Sequence, residues 1–144
     1  MKVNIKKLNK NAKIPNKGSE FSAGYDLYAC LDESVNIKSN QTVKIPTGLA
    51  MEIPVGYAGM IFARSGLSTK KGLAPANKVG VCDSDYRGEY IVALHNHSDE
   101  DVIVNPGERI AQLVIIPFLS VDFIETDELN DTVRGKGGFG STGK

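Results

Sequence analysis

The sequence predicts an all-β fold of the sandwich, jelly-roll or distorted-barrel kind, and three observations predict it. Helical periodicity is all but absent over the 144 residues. Short runs rich in β-branched and aromatic residues take its place. Turn signals separate those runs at short intervals, at Ser39-Asn40, Pro46-Thr-Gly48, Pro54-Val-Gly56 and Asn105-Pro-Gly107. Many short strands between such turns read as a layered or closed β architecture.

In chain order the predicted strands are Val3–Leu8, Tyr25–Cys30, Val35–Ile37, Thr42–Ile45, Gly48–Ile53 and Tyr57–Phe62. They continue with Lys78–Cys82, Tyr90–Asn96, Val102–Val104, Arg109–Phe118 and Val121–Ile124. One helical turn is expected at Ser65–Lys71, closed by Gly72. Asp122 to Asp131 holds five acids in ten residues and reads as a solvated connector. The chain then divides into a β domain over residues 1–130 and a flexible Gly-rich C-terminal arm over 131–144. No internal repeat is present.

A chain of this length forms one domain, burying roughly 70% of the surface that its unfolded form exposes. Seventeen basic and seventeen acidic residues cancel, so no global field favours nucleic acid or an anionic membrane, and neither is expected as a partner. Cys30 and Cys82 lack CxxC spacing and read as reduced, buried thiols of a cytoplasmic protein. The longest apolar run, Leu113 to Leu119, is broken by Pro117 and is too short to span a bilayer; no apolar signal segment follows the N-terminus.

The most informative stretch is the last: Arg134-Gly-Lys-Gly-Gly-Phe-Gly-Ser-Thr-Gly-Lys144. Its glycines let a backbone approach a ligand closely and turn N–H groups toward phosphate. Arg134, Ser141 and Thr142 supply side-chain donors, and Phe139 a flat face for a base. The segment contains GxGxxG and GxxxxGK strings. Neither sits between a strand and a helix, so Rossmann and P-loop sites are excluded.

Four internal segments have compositions that a β core would not choose. In Ser22-Ala-Gly-Tyr-Asp-Leu27, Asp26 interrupts an apolar strand start; it is either an edge residue or a carboxylate holding a metal through water. Ala63-Arg-Ser-Gly-Leu67 places Arg64, Ser65 and Gly66 at a helix start, an anion site or an Arg–carboxylate pair beside an N-cap Ser. Asn77-Lys-Val-Gly-Val-Cys-Asp-Ser-Asp-Tyr-Arg-Gly88 crowds Asp83, Asp85 and Tyr86 into one turn: an ordinary hairpin connection, or a general base beside an aromatic wall. In Pro106-Gly-Glu-Arg-Ile-Ala-Gln-Leu113, Gln112 is a polar residue in a buried strand and must find hydrogen bonds. His95 and His97 point the same way from a strand, but the pair alone does not make a metal site.

These segments and the tail resemble, in order and spacing, the five motifs of the trimeric dUTP diphosphatase (dUTPase) family. The resemblance runs from Ala23 to Gly143 and departs locally at Cys82, where the family more often has an aliphatic residue. It implies a jelly-roll-like homotrimer that hydrolyses dUTP to dUMP and pyrophosphate with Mg2+, keeping uracil out of DNA and supplying dUMP for thymidylate synthesis. By the same resemblance Asp83 activates the attacking water, and Asp26 holds waters of the metal. Arg64, Ser65, Gly66 and Gln112 line the phosphate path. Asn77, Gly80, Val81 and Cys82 read uracil, and Tyr86 lies against the deoxyribose. From the tail, Arg134, Phe139, Gly140, Ser141 and Thr142 close over base and γ-phosphate as a lid. Each site draws on all three chains. Two other readings share this fold: a dCTP deaminase, and a regulator that senses dUTP.

Overall fold

The computed structural model of the protein describes residues 1–138. It is mainly β with one short helix, as expected. The elements in chain order are β1 (Asn4–Lys7), β2 (Asn16–Lys17), β3 (Tyr25–Tyr28), β4 (Val35–Ile37), β5 (Thr42–Pro46), β6 (Leu49–Glu52) and β7 (Tyr57–Phe62). Then follow α1 (Ser65–Lys71), β8 (Leu73–Pro75), β9 (Gly80–Cys82), β10 (Ile91–Asn96), β11 (Val102–Val104) and β12 (Arg109–Pro117). The strands form open sheets: β1-β6, β5-β10-β8, β11-β4, and the five-stranded β2-β3-β12-β7-β9. Every pairing is antiparallel.

Alternation along the strands decides what each sheet buries. In β10 the buried residues are Val92, Leu94 and Asn96, every second position, as the pleat requires. Leu27, Ile37, Ile45, Leu73, Leu94 and Val104 are fully buried and form one core with Ile61, Ile110 and Leu113. Each such side chain contributes about 1.5–3 kcal/mol relative to exposure. The two buried polar residues are satisfied. Asn96 donates to the carbonyls of Ile37 (3.0 Å) and Glu100 (2.7 Å), and Thr47 donates to the carbonyl of Tyr90 (2.6 Å).

The long strand β12 lies between β3 and β7 and sets the register that the site depends on. One row across the sheet is Asn16, Asp26, Gln112, Phe62; the next is Lys17, Tyr25, Leu113, Ile61, Gly80. Successive rows face opposite sides of the sheet. Leu113 and Ile61 therefore enter the core, while Asp26, Gln112 and Phe62 face away from it.

Several expectations need correction. No strand forms over Val121–Ile124; Phe123 and Ile124 are 96% and 86% exposed, because this chain offers them no partner strand and β-propensity alone does not hold one. Two very short strands, β2 and β8, were not expected. The hairpin strand begins at Gly80 rather than Lys78, since Lys78 takes a left-handed conformation (φ 63°). The sheets are open rather than a closed barrel. Cys30 and Cys82 are free but half-buried, and burial pushes both thiols up from their ordinary pKa. Among the described residues, no helix is long and apolar enough to cross a membrane.

Candidate active site

Two clusters hold the residues singled out from the sequence. The first is a cleft of about 450 Å³ on the outward face of the five-stranded sheet, lined by Gly24, Asp26, Phe62, Arg64, Ser65, Gly66, Arg109 and Gln112 among others. β3 and β12 bring Asp26 opposite Gln112, and the end of β7 delivers Arg64 beside them. The Asp26 carboxylate, 13% exposed, accepts from Arg64 Nε (2.7 Å) and Arg109 Nη1 (3.3 Å). The structural alternative for Arg64, an Arg–carboxylate pair, is thus observed. Its N-cap feature is not: Arg64 itself is the N-cap, without a side-chain cap, and Ser65 is the first helical residue.

Helix α1 bonds its Leu67 and Ser68 N–H groups to the Arg64 carbonyl (3.0 and 2.9 Å), leaving those of Ser65 and Gly66 without intrahelical partners. No atom lies within 4 Å of where a Gly66 side chain would stand, so packing within the chain does not require glycine there. Gln112 donates Nε2 to the Ala63 carbonyl (2.8 Å), which meets the demand that a half-buried amide be bonded. Gly24 makes room for it: a Cβ there would lie 3.2 Å from Gln112 Cδ and closer still to Oε1. Two guanidiniums around one carboxylate leave this cleft net positive, suited to an anion.

The second cluster is a cavity of about 320 Å³ at the β9 edge, where the five-stranded sheet meets β5, β8 and β10. Asn77, Gly80, Val81, Cys82, Asp83 and Tyr86 line it, with Lys44, Ile61 and Tyr90. The Asn77 amide lies over Gly80, 3.3 Å from where a Cβ would stand. Cys82 lies by Tyr90; burial, then the charge of Asp83, acts against its thiolate, while the Tyr90 hydroxyl favours it. Burial also pushes the Tyr90 phenol far up, so it is neutral. Asp83 is exposed and, among the described residues, its carboxylate has no hydrogen-bond partner. A carboxylate on the lip of this cavity is placed to take a proton from water.

The two clusters have no lining residue in common. Ile61 lines the cavity and Phe62, the next residue, lines the cleft. Arg134 belongs to neither; it is exposed and donates to the Gly137 carbonyl (2.9 Å). Phe139, Gly140, Ser141 and Thr142 lie outside the described residues. Arg109 and Gly24 were not picked out from the sequence as site residues. Arg109 had the bare signal of a charged residue opening a buried strand. His95 and His97 do face one another, ring centroids 4.3 Å apart, and His95 Nδ1 bonds Thr42 Oγ1 (2.9 Å).

Asp26 is the candidate metal-holding residue. Among the described residues no group of three His, Cys, Asp or Glu side chains could hold an ion, and both Asp26 oxygens face guanidiniums. This donor set does not form a protein cage. Mg2+ commonly keeps several waters and needs only one or two protein carboxylates, so a single Asp is enough protein for one.

An arginine-lined cleft and an amide-bearing cavity are thus carried on a small mainly-β frame. The dUTPase family model matches residues 10–143, and the chain belongs to the dUTPase family. It is 49% identical to the deoxyuridine 5'-triphosphate nucleotidohydrolase of Desulfitobacterium hafniense, over 99% of this chain and 95% of that one. Identity to the protein of the same name from Hydrogenobaculum sp. is 48%, over 99% of both. Among solved structures, a mutant dUTPase of Staphylococcus bacteriophage 80alpha with dUpNHpp superposes with a TM-score of 0.89 at 29% identity, covering 99% of each chain. A mutant dUTPase of phage phi11 of S. aureus, studied for its coordination of a structural Mg(II) ion, gives 0.79 at 25% identity, over 89% of this chain and 98% of that one.

Proposed function

We propose that the protein hydrolyses dUTP to dUMP and pyrophosphate, acting as a cytoplasmic homotrimer of jelly-roll-like subunits. It would thereby limit uracil entry into DNA and supply dUMP for thymidylate synthesis. The observation that carries this reading is the exposed Asp83 carboxylate, without a hydrogen-bond partner among the described residues, on the lip of a cavity lined by Asn77, Gly80 and Tyr86.

Asp83 takes the proton of a water that attacks the α-phosphorus in line. Asn77 and the backbone of Gly80, Val81 and Cys82 hydrogen-bond uracil; cytosine would leave some of those groups unpaired, which such pockets reject strongly. Tyr86 covers the deoxyribose. Arg64, Gln112 and the free N–H groups of Ser65 and Gly66 receive the triphosphate, with Arg109 sharing the Asp26 carboxylate. Mg2+ arriving with the triphosphate would offset charge developing on the pyrophosphate leaving group, with Asp26 bonding its waters. Residues 131–144 form the lid, with Arg134, Ser141 and Thr142 on the γ-phosphate and Phe139 and Gly140 over the base.

A homotrimer accounts for two clusters with no lining residue in common. The cleft of one subunit meets the cavity of a second under the lid of a third, and closed rotational symmetry repeats the site three times. A deoxynucleotide panel with Mg2+ and pyrophosphate detection tests the activity. The expected result is pyrophosphate from dUTP, with little from dCTP, dTTP or UTP. Equal hydrolysis of dTTP or UTP contradicts the selectivity, and ammonia from dCTP would assign the deaminase reaction instead.

A further inference from the structure

We propose that Gly88 and Glu89 are positioning residues for the Tyr86 ring and so set how strongly the site prefers deoxyribose to ribose; this rests on the function proposed above. Tyr86 is 45% exposed and lines the hairpin cavity. A half-exposed ring usually samples several rotamers, and a ring that judges one hydroxyl group must not. Three contacts hold this one.

Its hydroxyl donates to the Glu89 carbonyl (3.1 Å), so the phenol doubles back across its own turn. Its inner edge meets Tyr90, centroids 6.0 Å apart and planes at 51°. Beneath it lies Gly88, where a Cβ would stand 2.6 Å from Tyr86 Cζ and 2.9 Å from Cε2, inside any tolerable contact. Gly88 is not among the residues of positive φ, so its backbone suits any L-residue. The glycine is required by the ring above it, not by the turn.

The platform under the ring is itself fixed. Tyr90 is 1% exposed; its N–H donates to the Leu49 carbonyl (2.8 Å), and its own carbonyl accepts from Thr47 Oγ1 (2.6 Å). The Glu89 carboxylate accepts the Gly48 N–H at 2.7 Å. Gly48 sits buried in the turn between β5 and β6; its positive φ (68°) favours glycine, and its missing Cβ lets it pass Cys30 and Ala12. Tyr86 is thereby referenced to the core rather than to its own loop. An alanine at 88 must lift the ring off this platform and change the wall that the sugar meets.

The test is kcat and KM for dUTP and UTP in the wild type, Gly88→Ala, Glu89→Ala and Glu89→Gln, beside thermal melting. Gly88→Ala is expected to lose about tenfold in preference for dUTP over UTP, through KM, with kcat within about twofold of wild type. Glu89→Ala should shift the preference the same way. Glu89→Gln, whose amide oxygen can still accept the Gly48 N–H, should restore it. A merely structural role would lower melting temperature and active fraction while leaving the ratio alone. A Gly88→Ala enzyme with the wild-type ratio overturns the proposal. Should that variant not fold, an unchanged ratio in Glu89→Ala overturns it equally. A wild type that cannot hydrolyse dUTP would sink the proposed function, and one that accepts UTP equally would sink the role of Tyr86 and this inference with it.

Discussion

Ile61 and Phe62 are neighbours in β7 and face opposite sides of one sheet, Ile61 into the hairpin cavity and Phe62 into the arginine-lined cleft. A strand cannot turn two adjacent side chains to the same face without a bulge, and the β7–β12 register runs unbroken from Phe62 to Tyr57. The pleat itself therefore holds these two side chains in different clusters.

Asp83→Asn should lower kcat by about 10²–10⁴-fold, the range for loss of a general base, while dUTP binding and thermal stability are retained. Stability should hold because the carboxylate is exposed and has no partner among the described residues. Parallel calorimetric titration with a non-hydrolysable dUTP analogue and steady-state kinetics check this. Near-wild-type turnover would remove Asp83 from the mechanism.

Gly24→Ala should behave as a Gln112 variant does. The added methyl would meet the Gln112 amide oxygen and crowd its Cδ, driving the side chain from its bond to the Ala63 carbonyl. A fall of about tenfold in kcat/KM is expected, with the double variant Gly24→Ala/Gln112→Ala no worse than Gln112→Ala alone. Additive losses would show that the two residues act separately.

Glu108 gives a stability signature in acid. Burial alone would raise its carboxyl, but the Lys71 ammonium (2.8 Å) and the Asn105 N–H (3.0 Å) outweigh it and hold the pKa below the ordinary value. A depressed folded-state pKa stabilises above the unfolded value of about 4.3 and is lost as pH falls through the folded one. Glu108→Gln should therefore be less stable than wild type at neutral pH. The deficit is at most about 1 kcal/mol because Lys71 is exposed to solvent, and it should shrink as pH falls below about 4.3 and vanish below the folded-state value. Urea melts of both proteins across pH 3–7 measure it; a gap that persists in acid would assign the effect to packing.

Truncation after Val133 should leave a folded assembly with severely reduced dUTP turnover. Circular dichroism and sedimentation would match wild type while kcat falls. Loss of folding would make the segment structural and end its role as a lid.

Much of this was legible in the sequence, for a physical reason. Asp26 and Gln112 are polar residues set in apolar strand frames and Arg64 opens a helix just past one, and such residues need either partners or ligands. Asp83 and Tyr86 crowd a turn that needs neither for its geometry. Arg109 stayed hidden because its partner, Asp26, is brought to it by the β3–β12 register, across 83 residues of chain. Gly24 and Gly88 were equally opaque: each is defined by the side chain lying over it, Gln112 and Tyr86, and a bare glycine does not announce a neighbour. Val121–Ile124 misled because its apolar residues fit a strand, yet nothing in this chain pairs with them. The opposed faces follow from alternation along β7, but only once its partners on both sides are known.

Subunit complementation tests the central claim, a site built between copies, most directly. Arg64→Ala cripples the cleft and Asp83→Asn the cavity, so each homotrimer should be nearly inactive. When the two are unfolded together in equal amounts and refolded, a site draws an intact cleft with chance one half and an intact cavity with chance one half. The account predicts that dUTP turnover returns to about a quarter of wild type. A refolded mixed trimer no more active than its parents would contradict it.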